Sequence, residues 1–264
     1  MADAPAVSCV IPVYNDRTRL PRAVASVLSQ GPSVQVVLVD DGSTDGSREL
    51  TLEMARADSR IAAFPLPFNR GQGYARNIGV AVAQAPVVTF LDQDDEHRPG
   101  WYGHALELLR AHPELAAVKG DIELMDLPAG VSVARGDLRW QAMVYSPMWN
   151  VVLRKVVYQA LGGFPAGDAY RTREGAEDIP LMQALTRHFK VAQREYVATR
   201  HYINANGATA YFLQRSRIVD GRIEFRERSP GEASGALQQA HEEYQGRAAA
   251  NLAALRALLP PPGG

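Results

Sequence analysis

Between residues 7 and 92 the chain alternates four short apolar runs with three segments whose apolar residues recur at helical spacing, and few folds accept that pattern. VSCVIPVY (Val7 to Tyr14) has a continuous apolar core, as a strand covered on both faces requires. Leu20, Val24, Val27 and Leu28 then fall on one helical face, with Pro21 tolerated in the first turn and Gly31-Pro32 as the stop. VQVVLVDD reads as a second buried strand, Asp45 to about Asp58 as a helix, and IAAFPL as a third strand despite Pro65. Gly73 to Ala83 reads as a helix and PVVTFLD as the fourth strand. Strands and helices joined by short connections predict an α/β fold with a mostly parallel central sheet flanked by helices. Ligands gather at the carboxyl ends of the strands in such sheets. Polar residues stand at all four ends: Tyr14, Asn15 and Asp16; Asp40 and Asp41; Asn69 to Arg76; and Asp92 to Asp95.

Composition narrows the function classes. The chain has 264 residues, 46% of them hydrophobic, enough for one large domain or a domain with an appendage. The 28 basic residues are matched by 29 acidic ones, so no general attraction to nucleic acid or an anionic membrane is expected. Any anion site must be local. Cys9 is the single cysteine, which rules out an intramolecular disulfide and a multi-cysteine zinc site; it lies in an apolar run and is expected in the core. The start, MADAPAVSC, carries no cationic segment followed by a long apolar stretch, and no run of 18 apolar residues occurs. The expectation is a cytoplasmic protein, with peripheral membrane contact left open. No repeats are visible, and the PPPGG tail is expected to fray.

FLDQDDE (residues 90 to 96) follows two apolar residues with four carboxylates in five positions. At an effective dielectric of 20, two carboxylates about 5 Å apart repel by roughly 3 kcal/mol. A cluster facing one pocket therefore needs protons, cations or water. A dinucleotide fold would require G-x-G-x-x-G after the first strand, where PVYND stands, and no P-loop string occurs.

Six strings in order, VIPVYND, VLVDDGSTDGS, NRGQGYARNIGVA, VVTFLDQDD, LGGF and EGAEDIPLMQAL, resemble the family 2 glycosyltransferases, inverting enzymes of the GT-A fold. The resemblance spans about residues 7 to 203. It implies a GT-A catalytic domain over 1–204, with a nucleotide-sugar-binding half at about 7–98 and an acceptor-side half carrying the base at about 99–204. Residues 205–264 are expected to form a helical C-terminal extension.

The same resemblance implies roles for particular residues. Pro12, Tyr14 and Asn15 would lie beside the nucleotide, and Asp40 or Asp41 would read the uracil edge, since an ionised carboxylate accepts from the imide N–H. An Asx-type turn in DDGSTD is the plainer reading of either Asp. Arg76 would meet the base and diphosphate. Asp92, Gln93 and Asp94 match the D-x-D motif, in which Asp92 and Asp94 hold Mn²⁺ or Mg²⁺ through the donor diphosphate, Asp94 most directly. Asp95 would orient this cradle or cap the helix opened by Pro99, and Glu96 would face water. His201 resembles the late histidine contributed to metal or diphosphate. Asp178 corresponds to the acceptor-activating base and Glu177 to its orienting neighbour, although an acid at a helix start is also what a plain N-cap looks like.

The implied reaction moves one sugar from a nucleotide diphosphate sugar, expected to be a UDP-sugar, to a hydroxyl of a saccharide, lipid-linked or other acceptor. Gly162 to Phe164 would shape the sugar pocket. Trp140, Tyr145, Trp149 and Tyr170 fall where acceptor sites vary. QRSRI (214–218) has Ile218 where processive synthases have tryptophan, which disfavours polymer synthesis. Leu237, His241, Tyr244, Ala248, Leu252, Leu255 and Leu259 recur every three or four residues. That helix would pack on the catalytic domain or form a homodimer face. The competing readings are a catalytically idle nucleotide-sugar binder or scaffold, and a sugar nucleotidylyltransferase, whose glycine-rich basic loop PVYNDRTR does not supply.

Overall fold

The computed structural model describes residues 4–31, 33–171, 177–205, 207–225 and 232–258. The first half alternates as the apolar runs require. β1 (Val7–Val13), α1 (Leu20–Leu28), β2 (Val34–Asp40), α2 (Ser47–Ala57), β3 (Ile61–Pro65), α3 (Gln72–Val82) and β4 (Val87–Phe90) follow one another. The second half is more mixed: β5 (Glu96–His97), α4 (Trp101–Ala111), β6 (Leu115–Met125), α5 (Leu138–Tyr145), β7 (Val151–Arg154), α6 (Lys155–Leu161), α7 (Asp178–His188) and β8 (Lys190–Tyr202). The chain closes with α8 (Ala208–Arg215), β9 (Ser216–Val219), β10 (Arg222–Phe225) and α9 (Glu232–Leu258).

Eight strands form one sheet in the order β3-β2-β1-β4-β7-β6-β8-β5. The β3-β2-β1-β4 block is parallel throughout. β7 runs antiparallel to both β4 and β6, β8 pairs with β6 in parallel, and β5 is antiparallel to β8. The chain steps outward from β1 to β2 and β3, then returns to place β4 on the other side of β1. That reversal opens a crevice beyond the carboxyl ends of β1 and β4.

β1 and β2 are buried along their whole length, and alternate residues feed two cores. Val10, Val37, Val88 and Phe90 pack with α3, α6 and α7 on one face, and Cys9, Ile11, Leu38 and Leu91 with α1 and α4 on the other. α3 lies so close to β1 that a Cβ on Gly79 would stand 2.2 Å from Val10 Cγ1. Gly42, just past β2, has φ +80° and a Cβ there would meet Asn69 N at 2.7 Å, so only glycine lets this loop reach the next one.

The C-terminal region is not purely helical: a two-stranded hairpin, β9 and β10, precedes the long helix. β-branched and aromatic residues in SRIV and RIEF outweigh their charges once the chain turns at Asp220-Gly221, where both residues have positive φ. α9 returns to the body of the protein. Tyr244, Ala248 and Leu252 join the core shared with Leu161, Phe164 and Leu185, and Tyr244 Oη donates to Gly163 O at 2.7 Å. Leu259 lies outside the described residues. Among the described residues no helix is long and apolar enough to cross a membrane.

Candidate active site

The crevice is a cleft of about 290 Å³ lined by Pro12, Val13, Tyr14, Asp41, Asn69, Gly71, Gln72, Asp92, Gln93 and Asp94. Three loops are sewn together around it. Gln93 clasps the end of β1 through its amide, accepting from Tyr14 N at 2.8 Å and donating to Tyr14 O at 2.9 Å. Asn15, with φ +48°, accepts from Thr44 N at 2.8 Å, and its own N–H donates to Ser43 Oγ. Asp41 accepts from Arg70 N at 2.7 Å and Gly71 N at 2.8 Å, which ties the loop after β2 to the start of α3. Burial raises the Asp41 carboxyl above its usual range against those two hydrogen bonds.

The two aspartates after β2 therefore differ. Asp40 and Asp41 are both buried, 0% and 2% exposed, but Asp41 lines the cleft, whereas Asp40 pairs with Arg48 Nε at 2.9 Å and accepts from Ser43 N.

The four carboxylates after β4 divide in the same way. Asp92 and Asp94 keep 25% and 21% of their side-chain surface and face the cleft. Asp92 pairs with Arg76 at 2.6 Å and Asp94 with Arg19 at 3.1 Å. Asp95 is fully buried, accepting from Tyr202 N at 2.9 Å and meeting His201 Nδ1 at 2.7 Å. It does not cap the next helix, which starts at Trp101 after Gly100. Glu96 is turned inward, held by Arg22 at 3.0 Å and by the Tyr202 hydroxyl at 3.1 Å.

His201 stacks on Trp149 with ring centroids 4.9 Å apart, and its Nε2 meets Thr209 Oγ1 at 2.8 Å. Both ring nitrogens are thus engaged within the protein. Burial disfavours its charge, but Asp95 first, then Asp92 and Asp94, lift its pKa to about 9.

The acid cluster remains short of positive charge. Desolvation, followed by the neighbouring Asp95 and Asp92, pushes Asp94 up to about 7. An oxygen-only pair of carboxylates held in that state fits a hard divalent cation, whose charge would offset the repulsion. Among the described residues no group of three or more His, Cys, Asp or Glu is arranged to hold a metal.

Arg76 joins this cluster to a second one. Its side chain is 1% exposed and its guanidinium meets Asp92 at 2.6 Å, Glu177 at 2.8 Å and Asp178 at 3.0 Å. Phe164 of the LGGF string lies against it, 5.0 Å from ring centroid to guanidinium carbon. The arginine's charge is therefore directed at three carboxylates. Asp178 is the first residue of α7, after the N-cap Glu177, whose side chain makes no capping bond; Asp178 Oδ1 takes Arg76, and Oδ2 accepts from Met148 N at 3.3 Å. It keeps 17% of its side-chain surface. Burial raises its pKa to about 7, opposed by Arg76 and reinforced by Glu177 and Asp92. Glu174 to Ala176 of the EGAED string lie outside the described residues.

Of the aromatic residues considered for an acceptor site, Tyr145 is exposed, Trp149 is buried on His201, Trp140 stands near Arg135, and Tyr170 lies beside His241. The sequence reading passed over Arg19, Lys119 and Asn150. A lone lysine inside the apolar run LAAVKG was the available signal for the second of these.

The family model described as glycosyl transferase family 2 matches residues 8–127. An uncharacterized glycosyltransferase of Nostoc sp. is 36% identical over 179 residues, 66% of this chain and 52% of that protein. A putative teichuronic acid biosynthesis glycosyltransferase of Bacillus subtilis, TuaG, is 38% identical over 106 residues, 40% of this chain and 42% of its own length. The chain thus spans about half the length of these curated relatives. In fold it is similar to S. aureus TarS, solved with UDP-GlcNAc (TM-score 0.62, 17% identity, 77% of this chain and 60% of that one). It is similar also to the mannosyltransferase PcManGT of Pyrobaculum calidifontis, solved with GDP-Man and Mn²⁺ (TM-score 0.60, 18% identity, 98% of this chain and 77% of that one). The sheet flanked by helices is of the GT-A type.

Proposed function

Because the chain belongs to glycosyl transferase family 2, we propose that it transfers a single sugar from a nucleotide diphosphate sugar, with a UDP-sugar as donor, to an acceptor hydroxyl with inversion. The observation that carries this reading is Arg76, which binds Asp92 on the cleft and Asp178 beside it with one buried guanidinium. Pro12 and Tyr14, which line the cleft, hold the nucleotide, with Asn15 tying the adjoining loops through Thr44 N, and Asp41 is the better placed of the two aspartates to accept from the base because it lines the cleft. Gln93 keeps the two sides of the cleft in register.

Asp92 and Asp94 would hold Mn²⁺ or Mg²⁺, which when bound neutralises charge on the donor diphosphate. His201, whose Nδ1 meets Asp95, supports this cluster from behind in the present arrangement. Asp178 takes the proton of the acceptor hydroxyl as that oxygen bonds to the anomeric carbon and the diphosphate departs from the opposite side. No second carboxylate nucleophile is needed, which is why one base suffices for inversion. Glu177 shares Arg76 with Asp178 and holds the guanidinium in place.

The test is transfer from radiolabelled UDP-sugars and GDP-sugars by the full chain, with product anomeric configuration read by NMR. Retention of configuration, or no hydrolysis or transfer of any donor that binds, would overturn the reading.

A further inference from the structure

Three of the 28 basic residues are lysines, at 119, 155 and 190, and one of them is inside the protein. Lys119, on β6, is 2% exposed. Its Nζ donates to Pro147 O at 2.8 Å and to Asn150 Oδ1 at 2.9 Å. Asn150 is itself fully buried and donates through Nδ2 to Gly120 O at 2.8 Å and Val144 O at 3.2 Å. Gly120 N returns a bond to Asn150 O at 2.9 Å. The segment leading into β7 is therefore pinned on both sides of Met148, and Met148 N is the backbone donor that meets Asp178 Oδ2.

We propose that Lys119 is a positioning residue for Asp178: it anchors the Pro147–Asn150 backbone that presents Met148 N–H to this carboxylate, and it supplies a buried cationic centre in addition to Arg76. The inference rests on the reading of Asp178 as the base. Neutral side chains could satisfy Pro147 O and Asn150 without the desolvation cost of an ammonium, so packing alone does not call for a lysine here. An arginine would stay charged at any accessible pH, whereas a buried lysine can give up its proton. Burial lowers Lys119 to about 7, with the Asp178 charge working to raise it. The other charged or titratable groups that bear on Asp178 are Arg76 from α3, Glu177 beside it and Asp92 beyond β4, and Tyr158 on α6 in turn feels its charge. Coupling is reciprocal: if the carboxylate favours the ammonium, the ammonium favours the carboxylate. Titration steps near neutrality then belong to the pair.

The experiment uses the full chain labelled with ¹³C,¹⁵N-lysine. Lys155→Arg and Lys190→Arg remove two of the three lysine signals, so Lys119 is identified without touching it. In Asp178→Asn the Lys119 midpoint should fall by about one pH unit, as expected when a nearby opposite charge is lost. Lys119→Met should lower kcat at pH 7 at least about tenfold, a part of what a general base contributes, with the donor KM within about twofold and the acid limb of the kcat profile moved to higher pH. A merely structural lysine would leave that limb in place. If Lys119→Met does not fold, the titration decides alone. An unmoved Lys119 midpoint together with an inactive Asp178→Asn overturns the Lys119 assignment and spares the base; near-normal transfer by Asp178→Asn overturns both.

Discussion

The Asp178 carboxylate has Arg76, Glu177 and Asp92 as charged neighbours, and on the proposed reading of it as the base its protonation sets the pH behaviour of transfer. Its pKa is raised to about 7 by burial, and the base works as the carboxylate, so transfer should fall as pH drops through about 7 and level off above it. A kcat profile with a limb near an ordinary carboxylate pKa would contradict this. Asp178→Asn keeps the shape and one of the two accepted hydrogen bonds, from Arg76 or from Met148 N, while removing the proposed base. It should bind donor nearly normally and transfer sugar at least roughly 100-fold more slowly, as loss of general-base catalysis commonly does. Because the Asp178 oxygens meet Arg76 and Met148 N, with Glu177 at the N-cap position, the quality of Asn as an N-cap offers no route to rescue activity. On the cleft side, Asp94→Asn removes one of two exposed carboxylates at nearly constant volume. Mn²⁺ binding followed by calorimetry should weaken at least about tenfold, with the melting temperature little changed. An unaltered Mn²⁺ affinity would remove Asp94 from the cation site.

At the scale of elements, two packing contacts hold the site in shape. α3 carries Arg76 and reaches it by lying directly on β1, where Gly79 faces Val10. Gly79→Ala forces a methyl into that gap and should cost about 1–3 kcal/mol by overpacking, measured by urea denaturation. α9 covers α6 and α7 with Tyr244, Ala248 and Leu252, so it acts at a distance on the segment carrying Phe164 and on the helix carrying Asp178. Leu252→Ala should destabilise by about 2–4 kcal/mol, in the range of buried leucine truncations. A change below about 0.5 kcal/mol, typical of a surface site, would mean that α9 is not docked in solution. The periodicity at Tyr244, Ala248 and Leu252 was legible in the sequence because a helix stripe is a local pattern. The β9–β10 hairpin was not, since its charged residues mask alternation over four-residue strands.

Across the whole molecule, donor choice is the property left to measurement. The two solved neighbours hold a uridine and a guanosine nucleotide sugar, while the Asp41 reading favours uracil. UDP with Mn²⁺ should raise the melting temperature more than GDP or ADP, because a ligand of the native state at free concentration L stabilises it by RT ln(1 + L/Kd), which is larger for the tighter ligand at equal concentration. A larger shift with GDP would overturn the uridine assignment. The sequence by itself determined the parallel half-sheet, the helices between its strands and the set of polar residues at the strand ends, because continuous apolar runs and helical spacing are written in neighbouring residues. It also marked the D-x-D and E-D acids as chemistry. The tertiary structure decided which acids remain available: Asp40 is taken by Arg48 and Asp95 by Tyr202 and His201, while Asp92 and Asp94 open to the cleft. It likewise decided that Arg76 faces three carboxylates and that Lys119 is buried against Pro147 O and Asn150 Oδ1, on either side of the Met148 N that donates to Asp178. The Arg76–Glu177, Arg76–Asp178, Asp95–His201 and Asp95–Tyr202 pairs join residues 101 to 107 positions apart. They are brought together by a sheet in which β4 lies beside β7 and β7 beside β6, and such pairings leave no periodic trace in the chain.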